Sequence, residues 1–163
     1  MKAKINWTNT DTILEILAWA ILLITWIITC VNYPKLPEII PTHYNSVGHA
    51  DDFGTKKSIF ILPLIASILV VVLSILNKFP HRFNYPVKIT QENSLRQYTL
   101  ATKLLRYIKL NIAIIFGFIS FQTIQIANKK ANGLGVWFLI FTIALLFIPI
   151  LHFMISSWKT KNK

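Results

Sequence analysis

The sequence predicts an all-α integral membrane protein: a four-helix bundle with both termini cytoplasmic and an ordered extracytoplasmic loop between helices 1 and 2. Three observations carry this reading. Hydrophobic residues make up 54% of the 163 positions and charged residues 14%, an apolar excess over ordinary soluble domains. The apolar residues fall into four runs of roughly membrane length, longer than the elements of a globular core need. Lysine and arginine are divided unevenly among the segments that join those runs. A single membrane domain over 1–163 is expected at this length.

The first span is placed at about 12–31, TILEILAWAILLITWIITCV. Some twenty residues at 1.5 Å each cover about 30 Å, the thickness of the hydrocarbon layer. It lacks a small-x-small cleavage site and reads as an anchor. Cys30, the only cysteine, rules out an intramolecular disulfide and reads as a small buried hydrophobe. The second span is placed at about 58–76, with Pro63 near its start, where a missing N–H does least harm. The third is placed at about 107–127. The fourth is placed at about 134–158, with Pro149 marking a kink. None of the four alternates with period two, which disfavours a β-barrel. Trp7, Trp26, Tyr33, Tyr107, Trp137 and Trp158 lie near the proposed boundaries, as an interfacial aromatic belt requires.

With four spans, the N-tail, the second connection and the C-tail share a side. They hold Lys2, Lys4, Lys78, Arg82, Lys88, Arg96, Lys103, Arg106, Lys109, Lys159, Lys161 and Lys163, against Lys35, Lys56, Lys57, Lys129 and Lys130 on the other side. Basic residues collect on the cytoplasmic flanks of spans, so this is expected to be a multi-pass protein of the cell inner membrane with both ends inside. The net charge of +11 is thereby assigned to the lipid bilayer as partner, and nucleic acid is not expected. Lys109, near the start of the third span, is counted as snorkelling to the interface.

The basic cytoplasmic stretch 77–106 divides in two. NKFPHRFNYPVKIT reads as a turning connector. From Thr90, a suitable N-cap, QENSLRQYTLATKLLRYIKL has good helix formers and no Gly or Pro, so one helix is expected to run from here into the third span. Leu100, Leu104 and Tyr107 share a stripe on it, with Arg96, Lys103 and Arg106 toward the opposite side, near anionic head groups. This stretch could also meet a cytoplasmic protein partner. Glu15, one turn inside the first span, is expected to snorkel or to pair with Arg106 or Lys103. Gln122 and Gln125 are expected to bond between helices.

The outer loop, 32–57, is the most chemically dense part of the chain. Pro34, Pro37 and Pro41 stiffen its first half, Leu36, Ile39 and Ile40 supply apolar anchors, and Gly48 and Gly54 permit unusual backbone angles. Shaped loops tend to carry function. His43, Asn45, Gly48, Asp51 and Lys56 are the candidates for holding its shape or for contacting an extracytoplasmic peptide or small ligand. No H-E-x-x-H, P-loop or G-x-S-x-G is present, so no catalytic residue, metal ligand or cofactor is assigned and a non-enzymatic binding or sensing role is expected. The alternatives are a metal-dependent membrane enzyme using His43, His49 and Asp51, and an accessory subunit of a transporter.

The residues YPKLPEIIPTHYNSVGHADDFGTKKSIFILPLI resemble the bacterial membrane family called domain of unknown function 1648. The matching positions are Tyr33, Pro34, Leu36, Pro37, Ile40, Pro41, His43, Tyr44, Asn45, Gly48, Asp51, Lys56 and Pro63; Asp52 stands where the family commonly has glycine. The same module forms the N-terminal part of sporulation-delaying-protein immunity proteins, which protect a membrane against a secreted toxin and signal its presence. The resemblance therefore implies an immunity-like role for the outer loop.

Overall fold

The computed structural model describes residues 5–159, so Lys2, Lys4, Lys161 and Lys163 lie outside the described residues. Among the described residues, four helices are long and apolar enough to cross a membrane, which makes this a multi-pass membrane protein. They are α1 (Asn9–Asn32), α2 (Ile61–Leu76), α3 (Ser94–Ala127) and α4 (Trp137–Lys159).

Helix α1 starts three residues before the expected position because Thr8 and Asp11 form a capping box. The Asp11 amide donates to Thr8 Oγ1 at 3.3 Å, and the Thr8 amide donates to Asp11 Oδ2 at 2.8 Å, satisfying two otherwise orphaned donors. The buried positions of α1 are Asp11, Leu14, Ala18, Leu22, Thr25 and Thr29, three or four apart and so on one face. Its large hydrophobics Ile13, Ile16, Leu23, Ile24 and Ile27 point outward. Small and polar side chains inside with bulky apolar ones outside is how helices pack when the solvent is lipid. Cys30 belongs to the outer face: it is exposed, contrary to the expectation of burial.

Helix α3 runs unbroken for 34 residues, as the absence of Gly and Pro through its first half predicts. Thr90 is not its N-cap. Thr90 and Asn93 close a reciprocal turn, the Thr90 amide donating to Asn93 Oδ1 at 2.9 Å and the Asn93 amide to Thr90 Oγ1 at 3.3 Å, so the helix begins only at Ser94. Glu92 lies in that turn, where its hydrogen bond with Thr90 holds its carboxyl below the usual range. Helix α3 packs against α1, α2, α4 and the hairpin described below, and is the centre of the fold. Between α1 and α2, Trp26 Nε1 donates to Ser67 Oγ at 2.9 Å over a cluster of Leu22, Ala66 and Val70.

Arg106, placed on the basic side near head groups but also named as a partner for Glu15, is 4% exposed; it reaches Glu15 Oε1 at 3.5 Å, as that pairing requires, and Asp11 Oδ1 at 3.3 Å. Lys109, expected to snorkel, is 1% exposed and bonds Glu15 and, at 3.0 Å, Ser74 Oγ. Two cations thus meet two carboxylates between α1 and α3. Lipid offers such charges no solvation, so they turn inward to one another.

Pro149 sits inside α4. With no N–H, it leaves the Leu145 carbonyl without its helical donor. Asn111 Nδ2 on α3 donates to that carbonyl, which turns a helix defect into an interhelical contact. Farther along, Gln97 Nε2 donates to the Ser157 carbonyl at 3.0 Å and Ser157 Oγ donates to Gln97 Oε1 at 2.6 Å.

The connection between α1 and α2 departs from the all-α expectation. It contains an antiparallel hairpin, β1 (Ile39–Tyr44) with β2 (Ala50–Thr55). A 3₁₀ turn over Lys56–Phe60 then leads into α2, which starts three residues later than expected. Pro41 is tolerated in β1 because a two-stranded sheet has a free edge.

Candidate functional site

The hairpin is seated by its first strand. Ile40 is fully buried and Leu36 4% exposed, packed with Ile59 and Ile124 against Tyr33 and Phe60. Ile39, also expected to anchor, is 59% exposed, since neighbours on a strand face opposite ways. Its base is closed by Lys56, whose Nζ lies 2.8 Å from Glu38 Oε1 and over the Tyr33 ring.

Its tip is built by Asn45 and Gly48. Asn45 Oδ1 accepts from the amides of Val47 at 3.1 Å and His49 at 3.0 Å, a side chain folding its own turn. Gly48 has φ +83°, and a Cβ there would lie 2.8 Å from the Gly135 backbone. Only glycine combines that angle with that approach. The contact is sealed by the Leu134 amide donating to the Gly48 carbonyl at 2.8 Å. Gln122, expected to bond another helix, donates instead to the Gly133 carbonyl at 3.0 Å, steadying the α3–α4 connection on which the tip rests. Tyr44 completes the attachment, its hydroxyl 2.8 Å from Thr123 Oγ1 on α3. Burial raises the Tyr44 phenol above its ordinary range, against the smaller lowering effect of that hydrogen bond.

His43 and Asp51 meet on the open side of the hairpin, His43 Nδ1 to Asp51 Oδ1 at 2.6 Å, with side chains 66% and 42% exposed. The register shifts on either side of His43 bring them together; across the ladder His43 faces Asp52. The structure therefore joins two of the three residues named for a metal site. Among the described residues no three His, Cys, Asp or Glu side chains gather as a metal site.

Seated in this way, the hairpin roofs a cavity of about 470 Å³, within the usual range for ligand pockets. Ile61 and Leu62 of α2, Ile119 of α3 and Phe138 of α4 supply apolar walls, and His43, Asn45 and Ser58 supply polar groups. Sequence reasoning found the hairpin residues and Thr123 as a polar group of the third span, but neither the pairing of Thr123 with Tyr44 nor the Gly133–Gly135 shelf. The two closely spaced glycines before the fourth apolar run were the available signal.

Residues 20–66, from within α1 through the hairpin into α2, match the model of a family described as Domain of unknown function (DUF1648). An uncharacterized protein of Archaeoglobus fulgidus is 24% identical over 152 residues, covering 86% of this chain and 81% of that protein. The likeness thus extends to an archaeon, beyond the bacteria to which the resemblance pointed. No solved structure matches.

Proposed function

We propose, from the match of residues 20–66 to the DUF1648 family model and from the geometry above, a non-enzymatic binding role in which the hairpin and the cavity beneath it receive an apolar peptide from outside the cell. Both termini are cytoplasmic in this reading, and the membrane is the cell's inner membrane. The observation that carries it is the cavity: an apolar chamber with a polar rim, formed between a docked hairpin and three helices. A mere connector has no need of a glycine shelf, a Tyr44–Thr123 bond and a self-folded Asn45 turn. The exposed His43–Asp51 pair sits where it can meet a polar end of the peptide. An immunity-like form of the role, with a secreted toxin as the peptide, rests on the sequence resemblance.

A leucine- and alanine-rich peptide carrying a photoreactive leucine tests the proposal on the full chain in sealed proteoliposomes. Adducts should concentrate on 41–48 and 134–139, and fall several-fold in Ile119→Trp, which fills the cavity. Adducts spread evenly over the outer faces of α1 and α4, and indifferent to that substitution, would contradict the proposal.

A further inference from the structure

A second cavity, of about 460 Å³, opens between α3 and α4 beside the first turn of α1, at the end of the bundle away from the hairpin. Its walls are of two kinds. Leu104, Ile148 and Phe153 are apolar, while Lys103, Tyr107 and His152 bring a cation, a phenol and an imidazole to the same space. The sequence stripe placed Lys103 across the helix from Leu104 and Tyr107; in the structure all three line one groove. Among the described residues no carboxylate lies within salt-bridge distance of Lys103. Asp11 is within electrostatic reach of Lys103, but its oxygens are engaged by Thr8 and Arg106. Arg96 stands seven residues before Lys103 and so on the same stripe of α3, exposed, extending the positive charge toward water.

From this geometry we propose that the groove is a binding site for one anionic phospholipid. Its phosphate lies against Lys103 and His152, with Tyr107 at the inner edge of the head group, and an acyl chain passes Leu104 and runs inward along Ile148. Three features of the groove match that occupant. Its depth is that of the first turn of α1, where a span meets the head groups. Its wall residue Ile148 is 64% exposed on the outer surface of α4, where an acyl chain can reach it. Its charge is complementary to a phosphate, whereas a free anion has no use for the apolar wall. Pro149 contributes by lining the groove at the point where α4 departs from regular hydrogen bonding.

The full chain, purified in a mild detergent, is to be mixed with phosphatidylglycerol or phosphatidylcholine of identical acyl chains, and bound lipid counted by native mass spectrometry. Phosphatidylglycerol should be retained preferentially. That preference should fall about fivefold in Lys103→Gln, the factor one lysine near an anionic head group supplies, and further in Lys103→Gln/His152→Gln. Lys88→Gln, a basic residue outside the groove, should leave it unchanged, and Ile148→Trp should reduce occupancy without altering charge. Millimolar inorganic phosphate should not displace the lipid. Equal retention of the two lipids would overturn the proposal, as would an unchanged preference in the double variant or displacement by phosphate alone. The melting temperature of each variant, unchanged from the parent, separates loss of lipid from loss of fold.

Discussion

Replacing Lys109 by Met isolates what the buried charge network contributes. The ammonium group is 1% exposed and bonds Glu15 and Ser74 Oγ. Methionine keeps the length and apolar volume of the stem but leaves Glu15 with Arg106 alone, at 3.5 Å. The two cations then become one, against two carboxylates. An exposed pair lost in this way costs about 0–1 kcal/mol, but a buried carboxylate stripped of its partner costs about 3–5 kcal/mol. Glu15 is 17% exposed, which places the expected cost near the lower end, at about 3 kcal/mol or roughly a hundredfold in the folding equilibrium. The companion Glu15→Gln/Lys109→Met removes both charges and should return to within about 1 kcal/mol of the parent, since buried pairs are frequently neutral against uncharged substitutes. Reversible unfolding in mixed micelles measures both. The reasoning fails if the single variant unfolds with the parent, or if the double variant is destabilised by the sum of its two single variants.

Gly48→Ala should undock the hairpin tip: a left-handed backbone costs a residue with a side chain about 1–2 kcal/mol, and the new Cβ would meet Gly135 at 2.8 Å. Faster protease cleavage between Asn45 and His49, with the helices intact, is the expected result. Asn111→Leu should destabilise by about 1–3 kcal/mol, the cost of a buried carbonyl left unpaired, here that of Leu145; unfolding in mixed micelles reads it, and Pro149→Ala in the same background should recover most of the loss. Burial sets the Tyr44 phenol above its unfolded value of 10.0, so its contribution to hairpin stability is fully present below pH 10 and is lost as pH rises through the higher folded value. Tyr44→Phe should abolish that part of the alkaline loss, followed by amide exchange in 39–55.

The spans were legible because a bilayer demands long apolar runs whatever the tertiary contacts, and the unbroken course of α3 was legible from its helix formers. The hairpin was not. Its strands are six residues each, one contains a proline, and neither alternates cleanly: Ile40 and Pro41 are both buried, and the second strand buries no residue. Asn45 and Gly48 stood out as turn residues, but what the tip rests on comes from Gly133 to Gly135, far along the chain. The direction of Lys109 was illegible for a similar reason. At the edge of a span a lysine can reach outward to water or inward to an acid, and the deciding partner, Glu15, is 94 residues away. Asn111 could have been found from Pro149, since a proline inside a span must leave a carbonyl that some neighbour satisfies.

The account turns on the hairpin and its cavity lying across the membrane from the cytosol. In a Cys30→Ser background, Ser46→Cys at the hairpin tip and Lys88→Cys in the connection before α3 are to be exposed in sealed cells to a membrane-impermeant maleimide. Labelling of residue 46 in intact cells, with residue 88 labelled only after lysis, is the predicted result; the reverse pattern would contradict the account.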